Sequence, residues 1–80
     1  MARTKRPQVA FEPDPLVLFG ARLRELRRRR GYSQEELGAL AGLDSTFISA
    51  CENARRNPSL LTMWRLAMAL DVDLGELVRR

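Results

Sequence analysis

Two helix-start signals, Ser33 and Asp44, stand close together near the middle of the chain, and a glycine, Gly42, lies just ahead of the second. That spacing admits one short helix, a sharp stop and a second helix, and it constrains the fold more than any other feature. Ser33 and Glu36 form an S-x-x-E capping box, in which the hydroxyl caps a backbone N–H and the carboxylate reaches back. Leu37, Leu40 and Ala41 follow at helical spacing, so an amphipathic helix is expected. Gly42 supplies the positive φ that a sharp stop needs. Asp44 then caps a helix whose expected buried side is Phe47, Ile48 and Cys51. Its other side, Ser45, Thr46, Ser49 and Ala50, is small, polar and uncharged, which suits close approach to another surface. Arg55, Arg56 and Asn57 follow directly, so residues 33–58 amount to two helices joined by a tight turn and closed by a basic loop.

The flanking sequence supplies the rest of a small helical domain. Residues 1–14 carry Arg3, Lys5 and Arg6 and then a proline at position 13, and with Pro15 these discourage helix, so a flexible basic tail is expected. Such a tail aids solubility, or serves as an arm on phosphates or in the minor groove. The first helix is expected from Pro15 to Arg30, with Leu16, Phe19, Leu23 and Leu26 as its buried stripe and Gly31 as its stop. Arg27 to Arg30 favour its C-terminal end through the helix dipole and are read as a solvated face that adds long-range attraction to a polyanion. A fourth helix is expected from Ser59 to about Leu70, with Leu60, Met63, Leu66, Ala67 and Leu70 facing inward. Asp73 and Glu76 make a D-x-x-E box for a last helix that buries Leu74 and Leu77. No segment alternates with period two, so the fold class is all-α with five helices over 15–80.

Leu61, Trp64 and Met68 remain once that core is assigned, and they form an apolar stripe on the outer side of the fourth helix. An exposed stripe of this kind suits a partner surface, with Trp and Met favoured at interface centres. The alternative is that the tail folds back over it through Val9 or Phe11. Eighty residues make at most one marginal domain, which dimerisation would help to stabilise.

Composition narrows the function classes. There is a single cysteine and no histidine, so neither an internal disulfide nor a usual metal set is expected, and no cofactor or small-molecule ligand is evident. No apolar run approaches the roughly 20 residues of a membrane span, and no secretory signal is recognisable, so a reduced, cytoplasmic setting is expected. The carboxylates are scattered over caps and surfaces without a glycine-rich phosphate loop, which disfavours an enzyme. A net charge of +4 suits a polyanionic partner without establishing one.

The run from Gly20 to Leu77 resembles the Xre/Cro-type helix-turn-helix regulators. The likeness lies in GARLRELRRRRGYSQEELGALAGL, in the I-S-x-x-E of Ile48, Ser49 and Glu52, in RRNPSL at 55–60 and in MWRLAMALDVDLGEL at 63–77. Within that family, LDSTFIS followed by E-x-x-R-R-N looks most like the small controller proteins of restriction–modification systems, while phage repressors and antitoxins share much of the stretch. The resemblance implies a compact five-helix lambda-repressor-like domain of prokaryotic or phage type, with helices 2 and 3 as the helix-turn-helix. It implies a homodimeric transcriptional regulator on a partly palindromic operator in double-stranded DNA, occluding or recruiting RNA polymerase. An antitoxin that binds a toxin and regulates its own operon is the alternative.

Roles follow residue by residue. Ser45, Thr46, Ser49 and Ala50 would meet base edges; Ser33, Gln34, Arg55, Arg56 and Asn57 would meet phosphates; Leu61, Trp64 and Met68 would make the dimer contact. Glu52, an acid near phosphates, is assigned a structural part, pairing with an arginine such as Arg22 or capping a neighbouring helix. Three positions depart from the family pattern. Ala54 and Asp71 stand where glycine is common, so Asn53 is expected to take the left-handed conformation after the third helix. Cys51 stands where a larger aliphatic usually packs, and is read as an inert buried thiol.

Overall fold

The computed structural model describes residues 12–79, so most of the basic tail and any fold-back through Val9 or Phe11 lie outside the described residues. Five helices follow in order: α1 (Pro15–Arg29), α2 (Gln34–Ala41), α3 (Ser45–Glu52), α4 (Leu60–Leu70) and α5 (Leu74–Val78). No strand occurs among the described residues. The starts are the ones the sequence announces. Asp14 accepts from the Leu16 N–H, Ser33 and Glu36 complete the reciprocal capping box, Asp44 accepts from the Thr46 N–H, and Ser59 accepts from the Thr62 N–H. Asp73 precedes α5 without a side-chain cap, so the expected D-x-x-E box does not form; the Glu76 carboxylate accepts instead from Arg22 on α1.

Four helices end alike. The residue after the last turn has a positive φ, and the next N–H reaches back to a carbonyl five residues earlier: Tyr32 to Arg27 at 3.1 Å, Leu43 to Gly38 at 2.8 Å, Arg55 to Ala50 at 2.8 Å and Val72 to Ala67 at 3.0 Å. These are Schellman closures, which satisfy carbonyls that the helix leaves without partners. The left-handed residues are Gly31, Gly42, Ala54 and Asp71. Asn53 therefore does not turn the chain after α3, contrary to expectation. It stays at φ −98° because its side-chain amide donates to the Ser49 carbonyl at 2.8 Å, and Ala54 takes the left-handed conformation at φ 59°.

The core gathers Phe19, Leu23 and Leu26 from α1, Leu37 and Ala41 from α2, Ile48 and Cys51 from α3, Leu66, Ala67 and Leu70 from α4, and Leu77 from α5. Tyr32, Leu43, Phe47, Met63 and Val72 pack around it, half-buried. α3 is held between α1 and α2, while α4 and α5 close the other side against α2 and α1. Leu16 and Leu74 are half-buried rather than core. Leu60 and Leu40 are exposed, against the sequence expectation. Leu60 opens the first turn of α4, and α2 buries only the face of Leu37, Gly38 and Ala41.

Candidate nucleic-acid interface

The angle between α2 and α3 is fixed by two glycines. Gly42 occupies the left-handed region at φ 71°, and a Cβ at Gly38 would sit 2.5 Å from the Leu43 carbonyl oxygen, so the chain crosses α2 at backbone contact. This geometry sets the N-terminus of α2 beside α3 and leaves one side of α3 facing outward. Thr46 is exposed there, and Ser45, Ser49 and Ala50 are partly so.

The hydroxyls on that side differ in what they can offer. The Thr46 hydroxyl donates to Asp44 Oδ1 at 2.8 Å, so it is left with acceptor capacity and its methyl group. Asp44, holding the Thr46 backbone and hydroxyl, has its carboxyl kept below the usual carboxylate range. Ser45 and Ser49 have no side-chain hydrogen bond among the described residues, so each keeps a donor and two acceptors. The alternative for Ser49, a hydroxyl bonded back onto its own helix, is not what the structure has; its carbonyl is the atom engaged, by Asn53.

Arg55, Arg56 and Asn57 project into solvent from the loop after the Ala54 turn. The Arg56 guanidinium lies over the Phe47 ring, 5.0 Å from its centroid. This contact, which sequence reasoning missed, restrains one loop arginine against α3. Pro58 is buried and anchors the far end of the loop. At the N-terminus of α2, Ser33 Oγ accepts from the Glu36 N–H at 3.0 Å, and the Ser33 N–H donates to Glu36 Oε1 at 2.8 Å. Glu36, held by the Ser33 backbone and hydroxyl, is kept below the usual carboxylate range.

Beneath this edge lies a buried ionic cluster that the sequence reading only half anticipated. Glu52 is structural, but its partner is Arg27, not Arg22. Arg27 Nε donates to Glu52 Oε2 at 2.6 Å and Nη2 to Oε1 at 2.9 Å, a two-pronged pair, while Nη1 reaches the Tyr32 carbonyl at 2.9 Å. Gln34 Nε2 and Arg24 Nε converge on the same Oε1, at 3.2 and 3.4 Å. Burial opposes the Glu52 charge, but the bonds from Arg27, Gln34 and Arg24 outweigh it and hold the carboxyl below the usual range. The bond to Glu52 in turn raises the Arg27 pKa against the opposing effect of burial. Arg22 is engaged elsewhere, with Glu25 and with both the carboxylate and carbonyl of Glu76.

The run Arg27–Arg30 is accordingly not one solvated face. Arg27 is buried, and Arg30 bridges to the Leu70 carbonyl and Asp71 at the end of α4. Arg28 and Arg29 are exposed. A signal for Arg27 was present: it lies four residues after Leu23 and eight after Phe19, on the buried stripe of α1.

On α4, Leu61, Trp64 and Met68 expose 65%, 52% and 72% of their surface. Leu40 of α2 stands beside this stripe, and a shallow groove lined by Leu40, Gly42, Arg65, Met68 and Ala69 joins them. Cys51 is fully buried, and burial pushes its thiol pKa up, which fits an inert packing role. Among the described residues no cluster could hold a metal ion, and no helix is long and apolar enough to cross a membrane.

Comparison with known proteins sets this geometry in context. A family model described as helix-turn-helix matches residues 23–77. The chain is 43% identical, over 81% of its length and 84% of the relative's, to the uncharacterized HTH-type transcriptional regulator y4dJ of Sinorhizobium fredii. It is 37% identical to the control protein C.MunI of a Mycoplasma species, over 80% of this chain and 88% of that one. The crystal structure of the restriction-modification controller protein C.AhdI from Aeromonas hydrophila superposes with a TM-score of 0.76 and 50% identity, covering 78% of this chain and 94% of that chain.

Proposed function

The chain belongs to the helix-turn-helix family of DNA-binding transcriptional regulators, and from that premise we propose that it acts as a homodimer on a partly palindromic operator, as the controller of a restriction–modification operon. The observation that carries this reading is the outward face of α3, uncharged and hydroxyl-rich, accompanied by polar and basic side chains from the start of α2 and the loop after α3. Gln34, in the first turn of α2, reaches Glu52 at the C-terminal end of α3, and Arg55, Arg56 and Asn57 are exposed in the loop that leaves that end. The likeness to C.AhdI and C.MunI supports the controller role.

In this reading α3 enters the major groove, where Ser45 and Ser49 donate or accept at base edges, Thr46 accepts or meets a thymine methyl, and Ala50 permits close approach. The accompanying side chains contact phosphates and fix the register without carrying sequence. No arginine or glutamine stands on the base-reading face to make a two-pronged base contact. Specificity then draws on water-mediated contacts and on the deformability of the operator. The bound dimer occludes or recruits RNA polymerase at the adjoining promoter.

Selection of fragments from a random DNA pool tests the proposal. The expected product is a motif of two half-sites about 10 base pairs apart, centre to centre. Ser49→Ala should then relax discrimination at one position of each half-site. Arg55→Ala should weaken binding to all sequences and lower the salt slope by about one. Affinity independent of sequence, with both variants indistinguishable from wild type, would sink it.

A further inference from the structure

Two long polar side chains from different helices converge on one oxygen of a buried carboxylate at the DNA-facing edge. Glu52 has no exposed side-chain surface, and its Oε1 takes Gln34 from α2 and Arg24 from α1 beside the buried Arg27. Arg27 alone neutralises the carboxylate, in two-pronged geometry. Arg24 is therefore surplus charge. It is bonded only through Nε among the described residues, its side chain is 40% exposed, and its two outer nitrogens are without an acceptor. Gln34 likewise keeps one amide proton beyond the one given to Glu52. A guanidinium held by Nε presents its far edge in a fixed plane, which matches the paired oxygens of a phosphate.

We propose that Arg24 is a further DNA phosphate-contacting residue, and that Glu52 is the positioning residue that aims Arg24 and Gln34 together at the backbone of one strand. The proposal rests on the DNA-binding reading above and extends the interface from α2 and α3 to α1. Glu52 then does two things with one charge: through Arg27 it ties α3 to α1, and through Oε1 it orients the groups that meet the phosphate.

The test is the salt dependence of binding by the full chain to its selected operator and to a random-sequence duplex. Arg24→Ala should weaken binding to both duplexes alike and lower the slope of log affinity against log salt by about one unit. Arg28→Ala removes the same charge from an exposed position on the same helix and should leave the slope near wild type. Arg24→Lys keeps the charge but cannot hold Glu52 with one nitrogen and face a phosphate with two others, so it should fall with Arg24→Ala. If Arg24→Ala and Arg28→Ala have equal effects, the contact is overturned and only long-range charge remains. If Arg24→Lys matches wild type, positioning by Glu52 is overturned. A wild-type protein without salt-dependent DNA binding would instead refute the functional reading itself, so the two failures are distinguishable. Circular dichroism checks that each variant is folded; both positions carry an exposed or half-exposed side chain on α1, so the helical signal should be unchanged.

Discussion

Glu52 keeps its charge in the interior because Arg27 meets it with two nitrogens and because Gln34 and Arg24 occupy what remains of Oε1. A buried pair of this kind adds little net stability when intact, yet losing one partner costs about 3–5 kcal/mol, since the other charge is left stranded. Protonation of Glu52 is a mild form of that loss. Its folded-state pKa lies below the unfolded value, so the stability it contributes is fully present above the ordinary glutamate pKa of about 4.3 and is lost as pH falls through the folded value. Glu36 and Asp44 are depressed in the same direction by the caps they make, and they act in the same window. The thermal midpoint is therefore expected to be flat from about pH 7 to pH 5 and to fall steadily below that. A melting series followed by circular dichroism checks this. A midpoint that rises on acidification through that range would contradict the depressed carboxylates.

At the scale of the helices, starts were easier to infer than ends. Each start that forms a side-chain cap has a Ser or Asp whose side chain has one obvious job, and Asp14, Ser33, Asp44 and Ser59 do it. The ends share a Schellman closure, but only Gly31 and Gly42 advertise it; Ala54 and Asp71 adopt the same backbone without glycine. An Asn beside an Ala invites the assignment of the left-handed residue to Asn53. The closure is set instead by which N–H can reach Ala50, and that is Arg55. The same blindness to long-range geometry hid the cluster under α2. Glu52 is 25 residues from Arg27 and 18 from Gln34, and local spacing cannot show that they meet, although it does place Arg27 on the buried stripe of α1. Leu40 and Leu60 fit a helical period but fall where no neighbour covers them. The Ala54 turn yields a prediction at this scale. A left-handed alanine costs about 1 kcal/mol, partly offset by the greater freedom that glycine gives the unfolded chain. Ala54→Gly should therefore stabilise the domain by about 0.5 kcal/mol, read as a rise of a few degrees in the melting midpoint. A lowered midpoint would mean that the Ala54 methyl contributes more by packing than it costs in the backbone.

For the whole molecule, the proposed function assigns the two surfaces different tasks. One carries hydroxyls and phosphate-seeking side chains over α2 and α3, and the other carries Leu61, Trp64 and Met68 on α4 with Leu40 beside them. Since the hydroxyl face has no strong base-reading fork, a single domain would hold one half-site weakly, and coupling two copies would multiply the affinity. The apolar stripe is the surface available for that coupling. Its side chains are more than half exposed in the isolated chain, so replacing them removes little from the core. This separates association from folding. Trp64→Glu combined with Met68→Glu should leave the helical signal and melting midpoint near wild type. In sedimentation velocity the variant should remain a monomer at concentrations where wild type is a dimer. Truncating one central Trp at an interface costs ~2 kcal/mol or more, about a thirtyfold loss of association. Placing two carboxylates opposite their symmetry mates adds repulsion. Operator binding should then lose its steep concentration dependence and give a footprint of one half-site at high protein. A double variant that still sediments as a dimer and protects both half-sites would move the pairing surface away from α4 and leave the stripe for another partner.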